Sequence, residues 1–185
     1  GGGPDQVFMI KTAAEMGLKS VVLDQNPLCP GSKIADCFEQ ISTRNVPAIC
    51  KFVDLYQEKN EKIDGVSTMG SDIPHIVAQV AQHINVPSTS LEATLFATNK
   101  YKMKQRFKKF GVSTPSFSLV RNSGDVKKFM KKFGAPIVIK PLSEAGSRGV
   151  FLLKNEQDVD LNFSESLKYS QDSTFLVEKF IKGPQ

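Results

Sequence analysis

The sequence predicts an α/β protein in which a parallel-sheet domain over residues 1–90 is followed by a smaller α+β domain over residues 91–185. Three observations carry this. Short apolar runs alternate with stretches of helical periodicity through the first half, which implies parallel strands joined by crossover helices. A connecting stretch at 86–97, with Pro87 and several Ser and Thr residues, divides the chain. Beyond it, lysine-rich helical stretches and β-branched runs follow in an order that does not continue the alternation.

In the first half, residues 5–16 fit an amphipathic helix through Val7, Ile10, Ala13 and Ala14, stopped by Gly17. Residues 20–24 read as a short buried strand, 47–59 as a helix through Ile49, Phe52, Val53 and Tyr56, and 63–68 as another strand. Residues 73–84 place Ile73, Ile76, Val77, Val80, Ala81 and Ile84 on one helical face. Ligands of such sheets sit beyond the carboxyl ends of the strands. That rule singles out Gly3 and Pro4 in the opening Gly1-Gly2-Gly3-Pro4-Asp5-Gln6, Asp24 at a strand end, and Gly70-Ser71-Asp72 before a helix. The opening segment is expected to follow a first strand that this sequence does not include. Glycine-rich entry to a helix suits the carboxylate or phosphate of a substrate. Tight turns, with Ser71 or Asp72 as a helix cap, explain the same residues equally well.

In the second half, a helix over 100–109 carries Met103, Phe107 and Phe110 on one stripe, with Lys100 at its start behind Thr98 and Asn99 as capping residues. A strand near 115–120 precedes a helix capped near Ser123, in which Val126, Phe129, Met130 and Phe133 face inward and Lys127, Lys128, Lys131 and Lys132 outward. Residues 136–140 form a β-branched run ending in Lys140. The loop with Ser143, Gly146, Ser147, Arg148 and Gly149 follows, then a second apolar run; 155–170 is helical or partly irregular, and a last strand from Phe175 finishes in Glu178 and Lys179. A lysine at a strand end beside a loop whose glycines admit close backbone N–H groups meets what a triphosphate requires.

This order of a lysine-bearing strand, a Gly-Ser-Arg-Gly loop and a strand ending Val-Glu-Lys-Phe-Ile-x-Gly resembles the ATP-grasp superfamily, in particular its carboxylate–amine ligases and its carbamoyl-phosphate-synthase-like and biotin-carboxylase-like members. The resemblance implies a Rossmann-like pre-ATP-grasp domain lacking its first strand over 1–90, and the first subdomain and hinge of an ATP-grasp clamp over 91–185. It implies that ATP is held by Lys100, Lys140, Ser143, Gly146, Ser147, Arg148, Gly149, Glu178, Lys179, Phe180 and Ile181, with Lys100 preferred over Lys102 and Lys104 at the clamp edge. It further implies phosphorylation of a small-molecule carboxylate by ATP and Mg²⁺, then displacement of phosphate by an amine or other nucleophile. The enzyme would contribute positioning and charge stabilisation. The family's magnesium ligands lie beyond the hinge, so they are expected beyond residue 185, with no catalytic or metal residue in this chain. Alone, the chain is expected to be an inactive piece of a longer ligase that is open to homodimer formation.

Other classes fare less well. Gly1-x-Gly3 with Asp24 mimics a dinucleotide fingerprint, but Gln6 stands where the third glycine belongs, which weakens a nicotinamide oxidoreductase. A non-catalytic ATP-binding module would share the nucleotide residues and lack the later acids. The net charge of +5 could signal nucleic acid, yet much of it lies on the solvated helix face described above, so neither nucleic acid nor membrane is an expected partner. No P-loop occurs, since Gly65 to Gly70 runs into Ser71. His75 and His83 are too far apart on one helix to chelate together. Cys29, Cys37 and Cys50 are odd in number and lack metal-type spacing, which suggests reduced thiols and a cytoplasmic setting. No apolar stretch approaches the ~18 residues of a membrane span.

Overall fold

A computed structural model describes residues 1–142, 146–170 and 172–183. The chain divides into two compact units, Gly1–Thr94 and Leu95–Gln185.

The first unit begins with helix α1 (Pro4–Glu15), whose proline occupies the first turn, where no intrahelical N–H bond is lost. Strands β1 (Val21–Leu23) and β2 (Cys37–Glu39) pair in parallel, with Val22 opposite Phe38. Helix α2 (Val46–Lys59) is capped by the Asn45 side chain, which accepts from the Ala48 N–H. Its Ile49 and Val53 meet Val80 of helix α3 (Pro74–His83), and Leu23, Ile41, Phe52 and Ile76 pack around them. The parallel pairing agrees with the sequence reading, but two expectations need correction. Residues 63–68 form no strand; Ile63 and Val66 pack on the α2–α3 cluster from an irregular segment, and the Ile63 N–H donates to Gln57 Oε1 at 3.0 Å. Neither Ser71 nor Asp72 caps α3, whose N-cap is Ile73 with no side-chain bond.

Helix α4 (Leu91–Thr98) occupies much of the stretch read as a connection. Its Thr94 is buried, with the hydroxyl donating to the Leu91 carbonyl at 2.7 Å, so a threonine that looks like linker composition serves within a helix.

The second unit is built on an antiparallel sheet of β3 (Phe117–Val120), β4 (Ile137–Pro141), β5 (Phe151–Leu153) and β6 (Phe175–Lys179), in the order β3-β6-β4-β5. Helices α6 (Ser123–Phe133) and α7 (Glu156–Leu167) contact each other and the sheet. Ile137, Ile139, Phe175 and Val177 join Val126, Phe129, Met130 and Val159 in one core. Because strand side chains alternate, Val138, Lys140, Leu176 and Glu178 fall on the opposite face. Asn122, rather than Ser123, caps α6 by accepting from the Asp125 N–H, and Asn155 does the same for α7. On the outer face of α6, Lys127, Lys128 and Lys131 pair with Asp160, Asp125 and Glu156, so much of its basic appearance is balanced locally.

Helix α5 (Lys100–Lys109) is capped by Asn99, whose side chain accepts from the Tyr101 and Lys102 N–H groups. It has no fully buried residue, and Phe110, expected on its apolar stripe, is exposed with the Arg106 guanidinium 4.6 Å from its ring centroid. The helix instead seats Tyr101 edge-on against Phe117 of β3, with centroids 5.8 Å apart.

Candidate functional site

In the first unit the three loops singled out by the strand-end rule are drawn together. The Gly2 N–H donates to Asp24 Oδ2 at 2.8 Å, and the Asn26 N–H donates to Oδ1 at 2.9 Å. Burial acts to raise the Asp24 pKa, but these backbone donors outweigh it and hold the carboxyl below its ordinary value. The buried Gln6 side chain donates from Nε2 to the Met69 carbonyl, and Gly70 lies against Asp5, at φ +65°. A side chain at Gly2 would come within 2.6 Å of Cys29 Sγ, and one at Gly31 within 2.7 Å of the Gly2 backbone. Two glycines therefore let the chain cross itself tightly where α1 begins, with Gly3 and Pro4 at that crossing. Ser71 and Asp72 are exposed beside Gly70.

In the second unit the cationic residues gather on the sheet face turned away from the core. Lys140 and Glu178 are diagonal neighbours there, since Glu178 stands opposite Val138 and Lys140 opposite Leu176. The Lys140 ammonium bonds Glu178 Oε1. From α5, the Lys104 ammonium lies 3.1 Å from Oε2, an ion pair at an angle that does not make a hydrogen bond. The three side chains are only 20%, 12% and 14% exposed for Lys140, Glu178 and Lys104, so two ammonium groups share one shielded carboxylate. Among the described residues a positive charge thus remains where solvent screens it weakly. Lys100, one turn before Lys104, donates from both its backbone N–H and its Nζ to the Leu142 carbonyl at 3.3 Å, next to the end of β4.

The described part of the loop after β4 is anchored at one end. Gly149 has φ +68° and is buried; a Cβ there would lie 2.9 Å from both Pro141 Cγ and Tyr169 Cβ, and its carbonyl accepts from Ser166 Oγ at 2.9 Å. Gly146, at φ +64°, has no neighbour within 4 Å of a built Cβ among the described residues, and Gly146, Ser147 and Arg148 are exposed. Ser147 also adopts positive φ, and its carbonyl accepts from the Val150 N–H. Ser143 lies outside the described residues.

Of the residues expected at the hinge, Lys179 turns its ammonium away from this cluster. It donates to the carbonyls of Gly134 and Ala135 at 3.1 and 2.9 Å, while its backbone N–H bonds Ser116 and that of Phe180 bonds Pro136. Lys179 therefore ties the strand end to the C-terminus of α6. Phe180 is half-buried and Ile181 is exposed. Lys104 is the residue that the sequence reading passed over in favour of Lys100. The available signal was helical spacing, which places Lys104 on the same side of α5 as both Lys100 and Tyr101.

Among the described residues no three His, Cys, Asp or Glu side chains converge as a metal site, and no helix is long and apolar enough to cross a membrane. The three cysteines are unpaired, and burial pushes the thiols of Cys37 and Cys50 up.

Comparison with known proteins agrees with this architecture. The ATP-grasp domain family matches residues 105–183. D-alanine–D-alanine ligase of Trichlorobacter lovleyi is 33% identical over 93 residues, covering 50% of this chain and 29% of that protein. Formate-dependent phosphoribosylglycinamide formyltransferase of Sulfolobus acidocaldarius is 25% identical over 199 aligned positions, covering 98% of this chain and 46% of that protein. Among solved structures, the ADP complex of N5-carboxyaminoimidazole ribonucleotide synthetase superimposes with a TM-score of 0.78 at 22% identity, over 97% of this chain and 45% of that one, a likeness of fold. The chain thus spans less than half the length of these relatives. A lysine-bearing strand, a glycine-anchored loop and a central strand carrying Glu178 accompany this match, and residues 105–183 are similar to the ATP-grasp domain family.

Proposed function

We propose that this chain is the nucleotide-binding portion of an ATP-dependent ligase that activates a small-molecule carboxylate as an acyl-phosphate for attack by an amine or other nucleophile. On this reading Gly1–Thr94 is the pre-ATP-grasp unit, and its joined loops around Gly3, Pro4, Asp24 and Gly70, with Ser71 and Asp72 beside them, contact a substrate. The observation that carries the proposal is the shielded cluster of Lys104, Glu178 and Lys140, with Lys100 close to the end of the same strand. Its surplus positive charge suits a polyphosphate, and the exposed loop around Gly146, Ser147 and Arg148 supplies donors next to it. Phe180 and Ile181, continuing from the central strand, would border the base. Lys179 would contribute by fixing that segment, since its ammonium is engaged at Gly134 and Ala135.

ATP would supply the transferable phosphoryl group. This chain's residues bind and orient it: Lys140 and Lys100 neutralise phosphate charge, and the loop excludes water from that side. Mg²⁺ belongs to the proposal as a partner of the nucleotide, but the described carboxylates do not fit a metal site. Glu178 is committed to two lysines.

Calorimetric titration of the chain with ATP tests the reading. Binding is expected, and Lys140→Met should weaken it by about tenfold or more, as loss of a charge-assisted contact does. No heat of binding at millimolar ATP, or equal affinity in Lys140→Met, would remove the proposal. The ligase step is tested by ATP-dependent phosphate release with carboxylate and amine pairs, using the protein that carries this chain.

A further inference from the structure

We propose that Lys104 is a positioning residue of the nucleotide site, holding Glu178 so that Lys140 can exchange that carboxylate for phosphate; this rests on the ATP reading above. The Lys140 ammonium is bound to Glu178 Oε1. A lone Lys140–Glu178 pair would be neutral, and Lys140 could turn to a phosphate only by abandoning a buried carboxylate. An unpaired carboxylate shielded to this degree is strongly disfavoured. Lys104, 3.1 Å from Oε2, removes that obstacle because Glu178 keeps a cation when Lys140 leaves.

Lys104 reaches Glu178 from helix α5. Its location is fixed by the seating of α5, through Tyr101 against Phe117, the Asn99 cap and the Lys100 bonds to Leu142. Phe117 is paired with Glu178 across β3 and β6, so the contact that docks the helix adjoins the carboxylate that Lys104 holds.

Calorimetry with ATP on the wild type, Lys104→Met, Lys104→Arg, Glu178→Gln and the Lys104→Met/Glu178→Gln double variant tests this, with folding checked by circular dichroism. Lys104→Met is expected to weaken ATP binding by about tenfold, the scale of a lost charged partner, while Lys104→Arg recovers most of it. In the Glu178→Gln background, where Lys140 has no carboxylate to leave, Lys104→Met should change affinity by less than about twofold. If Lys104→Met does not fold, the double variant, which carries no unpaired carboxylate, still gives the comparison with Glu178→Gln.

Wild-type affinity in a folded Lys104→Met would overturn the inference and leave the ATP reading standing. A full tenfold loss persisting in the Glu178→Gln background would overturn it as well, because Lys104 would then act on phosphate directly. Absence of ATP binding by the wild type would bring down both.

Discussion

Replacing Gly149 by alanine should destabilise the second unit far more than the same change at Gly146, although the two glycines have nearly the same backbone conformation. Both have positive φ, +68° and +64°, where an L side chain costs ~1–2 kcal/mol. At Gly146 that is the whole effect, since among the described residues nothing lies within 4 Å of the added methyl group. At Gly149 the methyl group would sit 2.9 Å from both Pro141 Cγ and Tyr169 Cβ, neither of which is the far end of a flexible chain. Such overpacking costs a further ~1–3 kcal/mol. A total near 3 kcal/mol corresponds to a fall in Tm of about 12–24 °C for a domain of this size, against about 4–16 °C for the ~1–2 kcal/mol of Gly146→Ala. Thermal unfolding of the two variants by circular dichroism reads this difference. Equal shifts would refute the idea that Pro141 and Tyr169 clamp the loop's return leg.

Three further outcomes are expected. Glu178→Leu should lower stability by about 3 kcal/mol in urea denaturation, because two shielded ammonium groups lose their counter-charge; an unchanged midpoint would contradict the buried ion cluster. Asn122→Ala should cost ~1 kcal/mol and Ser123→Ala almost nothing, as the hydrogen bond from Asp125 N–H to the Asn122 side chain requires, and the reverse ranking would contradict that cap. Because the folded state depresses the Asp24 pKa, its carboxylate adds stability above the unfolded-state value and loses that contribution as pH falls through the folded one. The stability difference between wild type and Asp24→Asn should therefore be constant near neutrality and close in acid, and a gap that widens toward low pH would contradict the backbone bonds from Gly2 and Asn26.

The legible parts of the fold were those written in local periodicity. The i, i+3, i+4 pattern of Val126, Phe129 and Met130 marks α6 because its buried side chains are large and recur on one face. The β-branched run of Ile137, Val138 and Ile139 marks β4 for a similar reason. Cys37–Glu39 escaped because three residues show no pattern before they find β1. Ile63 and Val66 misled in the other direction; their apolar character is used in packing without a strand partner.

At the site, the sequence brought forward Lys140 and Glu178 through their neighbours in the chain, but not their mutual bond, which depends on β6 lying beside β4. Lys104 was hidden because its partner is remote in sequence. Lys179 looked like its neighbour Glu178, yet the alternation of a strand sends consecutive side chains to opposite faces and delivers its ammonium to the end of α6.

The strand order β3-β6-β4-β5 also bears on biosynthesis. As the polypeptide emerges from a ribosome, β3 and β4 lack the strand that lies between them, Phe175–Lys179, so native pairing with it on either side must wait for the last of the four strands to be translated. Until then the greasy surfaces of α6 and β4 are uncovered, a window in which a nascent chain is most exposed to chaperones and to wrong associations.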